Sequence, residues 1–265
     1  MRLAQINIYP IKSTAGITLK ESHVTCQGLE LDRRWMLVDA AGHAITAREF
    51  PRLTLVRTSI ADGGLAVRAP NMSSIRVPLQ PETDILRTVQ IWDDDCAALA
   101  ARGELDRWFS DYLDRNCHLV RLSDAHPRAI DPDYSRPGDQ VSFADAFPLL
   151  LTSEASLQDL NTYLHSPVSM QRFRPNLVVT GCGPYAEDHW RRIRIGEVMF
   201  EGAKNCPRCV LTTVDPETGL KDPRREPLRT LATYRRKGDD IFFGRNLIPR
   251  ADGAVRVGDM VETLE

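Results

Sequence analysis

Through its first ninety residues the chain alternates apolar and polar positions with a period of two, in short runs broken by Gly, Pro, Asp and Asn. Successive side chains of a strand point to opposite faces, so this alternation predicts half-buried strands. The runs are LAQINIY, ITLKESHVT, WMLVDA, HAITAR, LTLVRTS, LAVRA, SIRVPL and VQIW, with AAGH and ADGG as tight turns. So many short strands in so little chain point to a barrel or sandwich.

The period then changes. Leu105, Trp108, Phe109, Tyr112 and Leu113 follow the i, i+3, i+4, i+7, i+8 spacing of one helical face, which predicts a helix over 103–114 lying on the sheet. A second helix is expected to open at Ser153 in TSEASLQDLNTYLH. There Ser153 is the N-cap, Glu154 lies in the first turn, and Leu157, Leu160 and Leu164 face inward. Between them LSDAHPRAIDPDYSRPGDQ reads as an irregular connection, and a boundary near its start divides 1–120 from 121–265. Strand patterns return in NLVVTG, RIGEVMFEG, CVLTTVD, IFF and AVRVGDMVETL. The fold class expected is mainly β with a few helices, α+β.

Composition narrows the function classes. At 265 residues, 42% hydrophobic and 26% charged, the chain can bury a substantial core. A formal net charge of -2 argues against bulk electrostatic binding of nucleic acid but leaves room for a local anion pocket. No run is apolar enough to span a membrane, and MRLAQINIYPIKS lacks a signal peptide's apolar stretch, so a cytoplasmic location is expected.

Six cysteines remain to be explained. Cys26, Cys96, Cys117 and Cys182 stand far apart and read as reduced, small buried hydrophobes. Cys206 and Cys209 in KNCPRCVLTTVDPETG are a Cys-x-x-Cys pair. A zinc or iron–sulfur site would need a second group of ligands at a suitable spacing. A dithiol couple would need a helix N-terminus, whereas VLTTVD, rich in β-branched residues, predicts a strand. Two core cysteines near a turn, or one thiolate acting as a soft ligand to a metal held by another group, also fit.

The surrounding motifs resemble a known family. CPRCVLTTVDPETG followed by EPLRTL resembles the signature of MOSC domains, which bind the molybdenum cofactor. IYPIKS, LDRRWMLVD and TAREFPRL are similar to their N-terminal β-barrel domain. SFADAFPLLLTSEASLQDLN, FRPNLVV and YAEDHW extend the match in order, and the whole is similar to bacterial YcbX-type proteins and the mitochondrial amidoxime-reducing components. The resemblance implies an N-terminal β-barrel-like domain packed on a MOSC β-barrel domain.

It also implies site residues. Cys209 corresponds to the cysteine that binds molybdenum, leaving Cys206 a supporting role. A cofactor ending in phosphate needs fixed cations, and the matching positions are Lys12, Ser13, Arg33, Arg174, Asn176 and Arg208. Arg33 is preferred to Arg34 because adjacent strand residues face opposite ways. Asp145 matches an acidic position as a cofactor contact or catalyst, while Asp215 reads as a turn former. Pro207, Ala146 and Phe147 stand where relatives carry hydroxyl side chains.

The activity implied is reduction of a small N-hydroxylated substrate with a molybdenum cofactor, molybdopterin. The sequence has neither a C-terminal ferredoxin domain nor a Gly-x-Gly-x-x-Gly loop, so the expected electron donor is a separate iron–sulfur or flavin protein. The other readings are a cofactor carrier or sulfur-transfer module without turnover, and a dithiol or zinc protein.

Overall fold

The computed structural model describes residues 1–61 and 63–265. Its architecture is mainly β, with three α-helices among the described residues. The largest sheet runs in the order Ile17–Leu19, Arg2–Ile8, Leu177–Thr180, Leu149–Ser153, Asp240–Pro249, Val198–Pro207, Arg192–Ile195 and Val261–Thr263, with Arg236–Lys237 beside Asp240–Pro249. Leu3, Ile6, Leu149, Leu151, Leu177, Val179, Phe200 and Leu247 make its common core. The chain's first strand therefore lies inside a sheet otherwise built mostly from its second half.

A five-stranded sheet, Leu86–Ile91, Asp94–Ala100, His118–Leu122, Trp35–Val38 and Ala44–Ile45, stands beside it. Helix α1, Gly103–Leu113, covers it with Leu105, Trp108, Phe109, Tyr112 and Leu113, the apolar face read from the spacing. Helix α2, Glu154–Tyr163, connects two parallel neighbours, Leu149–Ser153 and Leu177–Thr180, as such pairs require. Its Ser153 Oγ accepts the Ser156 N–H at 3.0 Å, so the expected N-cap is present. Helix α3, Leu228–Tyr234, was not legible from apolar spacing.

Several expected strands differ. ITLKESHVT breaks into Ile17–Leu19 and Glu21–Thr25, which join different sheets. The start of LTLVRTS is a 3-10 turn, Pro51–Leu55, because Pro51 presets the dihedral of the first turn. The AAGH turn is closed by the Asp39 N–H on the His43 carbonyl, while the ADGG turn includes Asp62, outside the described residues.

All six cysteines are free thiols. Cys96 and Cys117 are buried and Cys182 is partly so, but Cys26 is exposed. It sits in the turn between Glu21–Thr25 and Gly28–Leu29, with its thiol turned to the polar Gln140 side chain at 3.6 Å rather than into the core. No helix among the described residues is long and apolar enough to cross a membrane.

Candidate functional site

Both halves of the chain contribute to one cleft. Past the first strand the backbone turns at Lys12 and Ser13. The Lys12 N–H donates to the Trp35 carbonyl, and Ser13 adopts a left-handed φ of 73°. Lys12 is only 6% exposed and its Nζ donates to the Phe143 carbonyl at 2.8 Å and to Asp145 Oδ1 at 2.6 Å. Burial lowers its pKa from the ordinary lysine value, with Asp145 opposing. The Asp145 side chain is half exposed, so the cost of desolvating its charge is small beside the pull of Lys12 and Arg48, which hold the carboxyl below its ordinary range. Arg48 Nη1 is 3.3 Å from Asp145 Oδ2.

Deeper in, two arginines share one ring. The guanidinium carbons of Arg33 and Arg174 lie 4.5 and 4.1 Å from the centroid of buried Tyr9. Arg33 donates to Asp32 Oδ2 at 2.6 Å and to Asn176 Oδ1 at 3.1 Å. Arg174 Nη1 donates to the Thr14 carbonyl at 2.7 Å, but its Nη2 is buried with no partner. Burial, helped by Arg33, pushes the Arg174 pKa down to about 10. Burial likewise pushes the Tyr9 phenol up to about 12.

The cysteine pair closes the cleft. Arg208 reaches from between the thiols to donate to Cys206 Sγ at 3.0 Å and the Phe173 carbonyl at 2.7 Å, and its buried Nε has no partner. The strand expected after Cys209 is instead a 3-10 turn, Val210–Thr213, with Cys209 at its N-cap. Thr212 and Thr213 donate their hydroxyls back to the Cys209 and Val210 carbonyls, at 3.0 and 2.7 Å, and this overrides the β preference of the run. Asp215 accepts the Glu217 N–H at 2.8 Å and an Arg172 nitrogen at 3.1 Å, a turn former as expected.

Lys12, Ser13, Arg33, Asp145, Arg174, Asn176, Arg208 and Cys209, the residues singled out from sequence, all line this cleft. Their parts differ. Asn176 is spent on the fold: its Oδ1 also accepts the Leu150 N–H and its Nδ2 donates to the Asn7 carbonyl. Arg33 is selected over Arg34 by a left-handed turn, φ 50°, rather than by strand alternation, and Arg34 pairs instead with Asp124. Arg48 and Lys204 also line the cleft but were not singled out, although TAREFPRL and KNCPRC contain them.

Residues 1–116 match the MOSC N-terminal beta barrel domain, and residues 138–262 match the MOSC domain. The chain is 37% identical to Mitochondrial amidoxime reducing component 2 of Rattus norvegicus over 98% of its length and 82% of the relative's. It is 37% identical to Mitochondrial amidoxime-reducing component 1 of Mus musculus and 35% identical to that of Homo sapiens, each over 99% of this chain and 82% of the relative. The chain belongs to the MOSC-domain family that includes these components.

The residues fit the anionic pterin cofactor of this MOSC family. Lys12, Arg33, Arg48, Arg174, Lys204 and Arg208 line the cleft against the single carboxylate of Asp145. Arg174 and Arg208 each hold a buried nitrogen with no protein partner among the described residues, as Arg121, Arg245 and Arg250 do outside the cleft, so the fit rests on the concentration of cations here. Among the described residues no three His, Cys, Asp or Glu side chains converge as metal ligands.

Proposed function

We propose that the protein is a molybdenum-cofactor-dependent reductase of N-hydroxylated compounds, fed with electrons by a separate redox protein. The observation that carries this reading is the convergence of Lys12, Arg33, Arg48, Arg174, Lys204 and Arg208 on a cleft with one carboxylate that also presents the Cys209 thiol. Relatives named amidoxime-reducing components, aligned over nearly the whole chain, support the same substrate class.

In this reading Arg174, Arg33, Arg208 and Ser13 hold the cofactor's anionic groups, and the Tyr9 ring keeps two of the guanidinium groups in place. Cys209 is the protein's metal ligand. When bound, the cofactor supplies two-electron chemistry that removes oxygen from nitrogen.

The chain's own groups then divide the remaining tasks. Asp145, kept ionised by Lys12 and Arg48, accepts a hydrogen bond from the N–H groups of an amidine-like substrate and so orients it. Lys12, whose burial lowers its pKa from the ordinary lysine value, is the proton donor beside Asp145. Leu149, Leu150, Phe147 and Phe173 supply apolar wall against which a flat substrate can lie.

The test is molybdenum content and benzamidoxime reduction with viologen as the electron source. Cys209→Ser should lose turnover while the arginine cradle still retains pterin, and Arg174→Ala should lose bound molybdenum. Cofactor bound without any turnover in the wild type would instead mark a carrier. Protein that never takes up molybdenum would defeat both readings.

A further inference from the structure

Among the described residues, one cation of the cleft is held by aromatic rings alone. Lys204 Nζ lies 4.6 Å from the centroid of the Tyr134 ring and 5.8 Å from that of Phe147, and these two rings meet edge-on at 5.9 Å. Within the described residues it donates no hydrogen bond and enters no ion pair. The other cations of the cleft differ. Lys12 and Arg48 pair with Asp145, Arg33 pairs with Asp32, and Arg174 and Arg208 donate to main-chain carbonyls. Ring faces steady an ammonium without neutralising its charge, so Lys204 keeps its donors for a ligand.

Its neighbour is likewise unengaged. Asn246 lines the cleft and is 8% exposed, yet its carboxamide makes no hydrogen bond among the described residues. A bulge brings the two together. Gly202 pairs with Leu247 and Asn205 with Arg245, so Ala203 and Lys204 on one strand stand against Asn246 alone on the other. The acid on the same strand, Glu201, is engaged elsewhere, with Arg136 and Arg250. A buried polar side chain normally has its partner within the protein. An ammonium and a carboxamide, both free and both facing one cleft, can donate together to the oxygens of one carboxylate.

Building on the reductase reading, we propose that Lys204 and Asn246 form a carboxylate subsite for the substrate, so that the protein prefers N-hydroxylated compounds with an acidic group at the end away from the reacting nitrogen. Phe147 supplies the connection. It follows Asp145 by two residues, belongs to the apolar wall of the cleft, and carries one of the rings that Lys204 faces. A flat substrate with its N–H groups on Asp145 and its body along Phe147 presents its far end to Lys204 and Asn246. Tyr134, 39% exposed, supports the ammonium from the outer side and acts only through it, as a positioning residue.

The experiment measures affinity by titration calorimetry on molybdenum-loaded protein without reductant, comparing benzamidoxime with 4-carboxybenzamidoxime, and then turnover of both with reduced methyl viologen. The wild type should bind the carboxylated compound about tenfold or more tightly. Lys204→Met, which keeps a long side chain against the rings, and Asn246→Leu, which keeps its volume, should each remove most of that difference. Lys204→Glu should turn the preference toward 4-(aminomethyl)benzamidoxime. Tyr134→Leu should narrow the difference and Tyr134→Phe preserve it. Equal affinity for the two compounds in the wild type, or an undiminished difference in both Lys204→Met and Asn246→Leu, would overturn the subsite. So would loss of bound molybdenum in step with loss of selectivity, because the two side chains would then belong to the cofactor. Carboxylate-selective binding with no viologen-driven turnover of either compound would support the subsite and defeat the reductase reading; turnover of both without selectivity would do the reverse.

Discussion

Arg174 stands over the buried ring of Tyr9, 4.1 Å from its centroid, with one guanidinium nitrogen left without a partner. The ring, from the first strand's exit, thus supports a cation delivered by the second half of the chain. Replacing Tyr9 by Leu removes the cation–π support and leaves some buried space unfilled. A loss of about 1 to 2 kcal/mol is expected, together with reduced molybdenum retention. Tyr9→Phe keeps the ring and loses only the hydroxyl's bond to the Pro175 carbonyl. It should retain molybdenum; chemical denaturation and metal analysis of both variants check this.

Asp145 gives the site an acid-side signature. Its folded carboxyl titrates below its unfolded value, so its contribution to stability is complete above about pH 4 and is lost as pH falls through the folded value. In Asp145→Asn this part of the acid dependence should vanish, and melting temperatures of variant and wild type should converge as pH falls below about 4. At neutral pH the variant leaves Lys12 buried without its carboxylate, at a cost of about 1 to 3 kcal/mol.

Thr213 tests the turn that carries the cysteine ligand. Its hydroxyl bond to the Val210 carbonyl is worth about 1 kcal/mol. Thr213→Val keeps the shape, drops that bond and favours an extended backbone. Global stability should fall only by that amount, whereas turnover should fall further because Cys209 occupies the N-cap position of this turn. Equal losses in Thr213→Val and in a remote variant of similar cost would show that the turn does not position the thiol.

Ser153 provides that remote comparison. Its hydroxyl caps α2 and also lies 2.7 Å from Ser156 Oγ beside buried Glu187. Ser153→Ala should cost about 1 to 2 kcal/mol in denaturant unfolding and leave the Michaelis constant for benzamidoxime unchanged.

These elements differ in how far they could be read beforehand. The α2 cap and the α1 face depend on residues three or four apart, so a short window contains the whole cause. The turn after Cys209 was misread because side-chain hydroxyls returned to the backbone, a local contest that β-branched composition does not reveal. Arg33 was selected for the cleft, but through a left-handed residue rather than strand alternation. The pairing of Arg2–Ile8 with Leu177–Thr180 joins segments about 170 residues apart, and no window of sequence contains both. Cation-bearing motifs were visible singly, whereas their convergence on Tyr9 needed the fold.

That long-range pairing has a bearing on synthesis. The first strand leaves the ribosome long before Leu177–Thr180 exists, and its Ile6 and Ile8 face the core only once that neighbour arrives. During this interval a nascent chain carries an apolar strand with an unsatisfied edge, open to pairing with another chain. Fragments cut near residue 120 would keep that exposure permanently, one piece holding the orphan strand and the other its vacant edge. Co-expressing the two pieces should therefore recover soluble protein that neither yields alone.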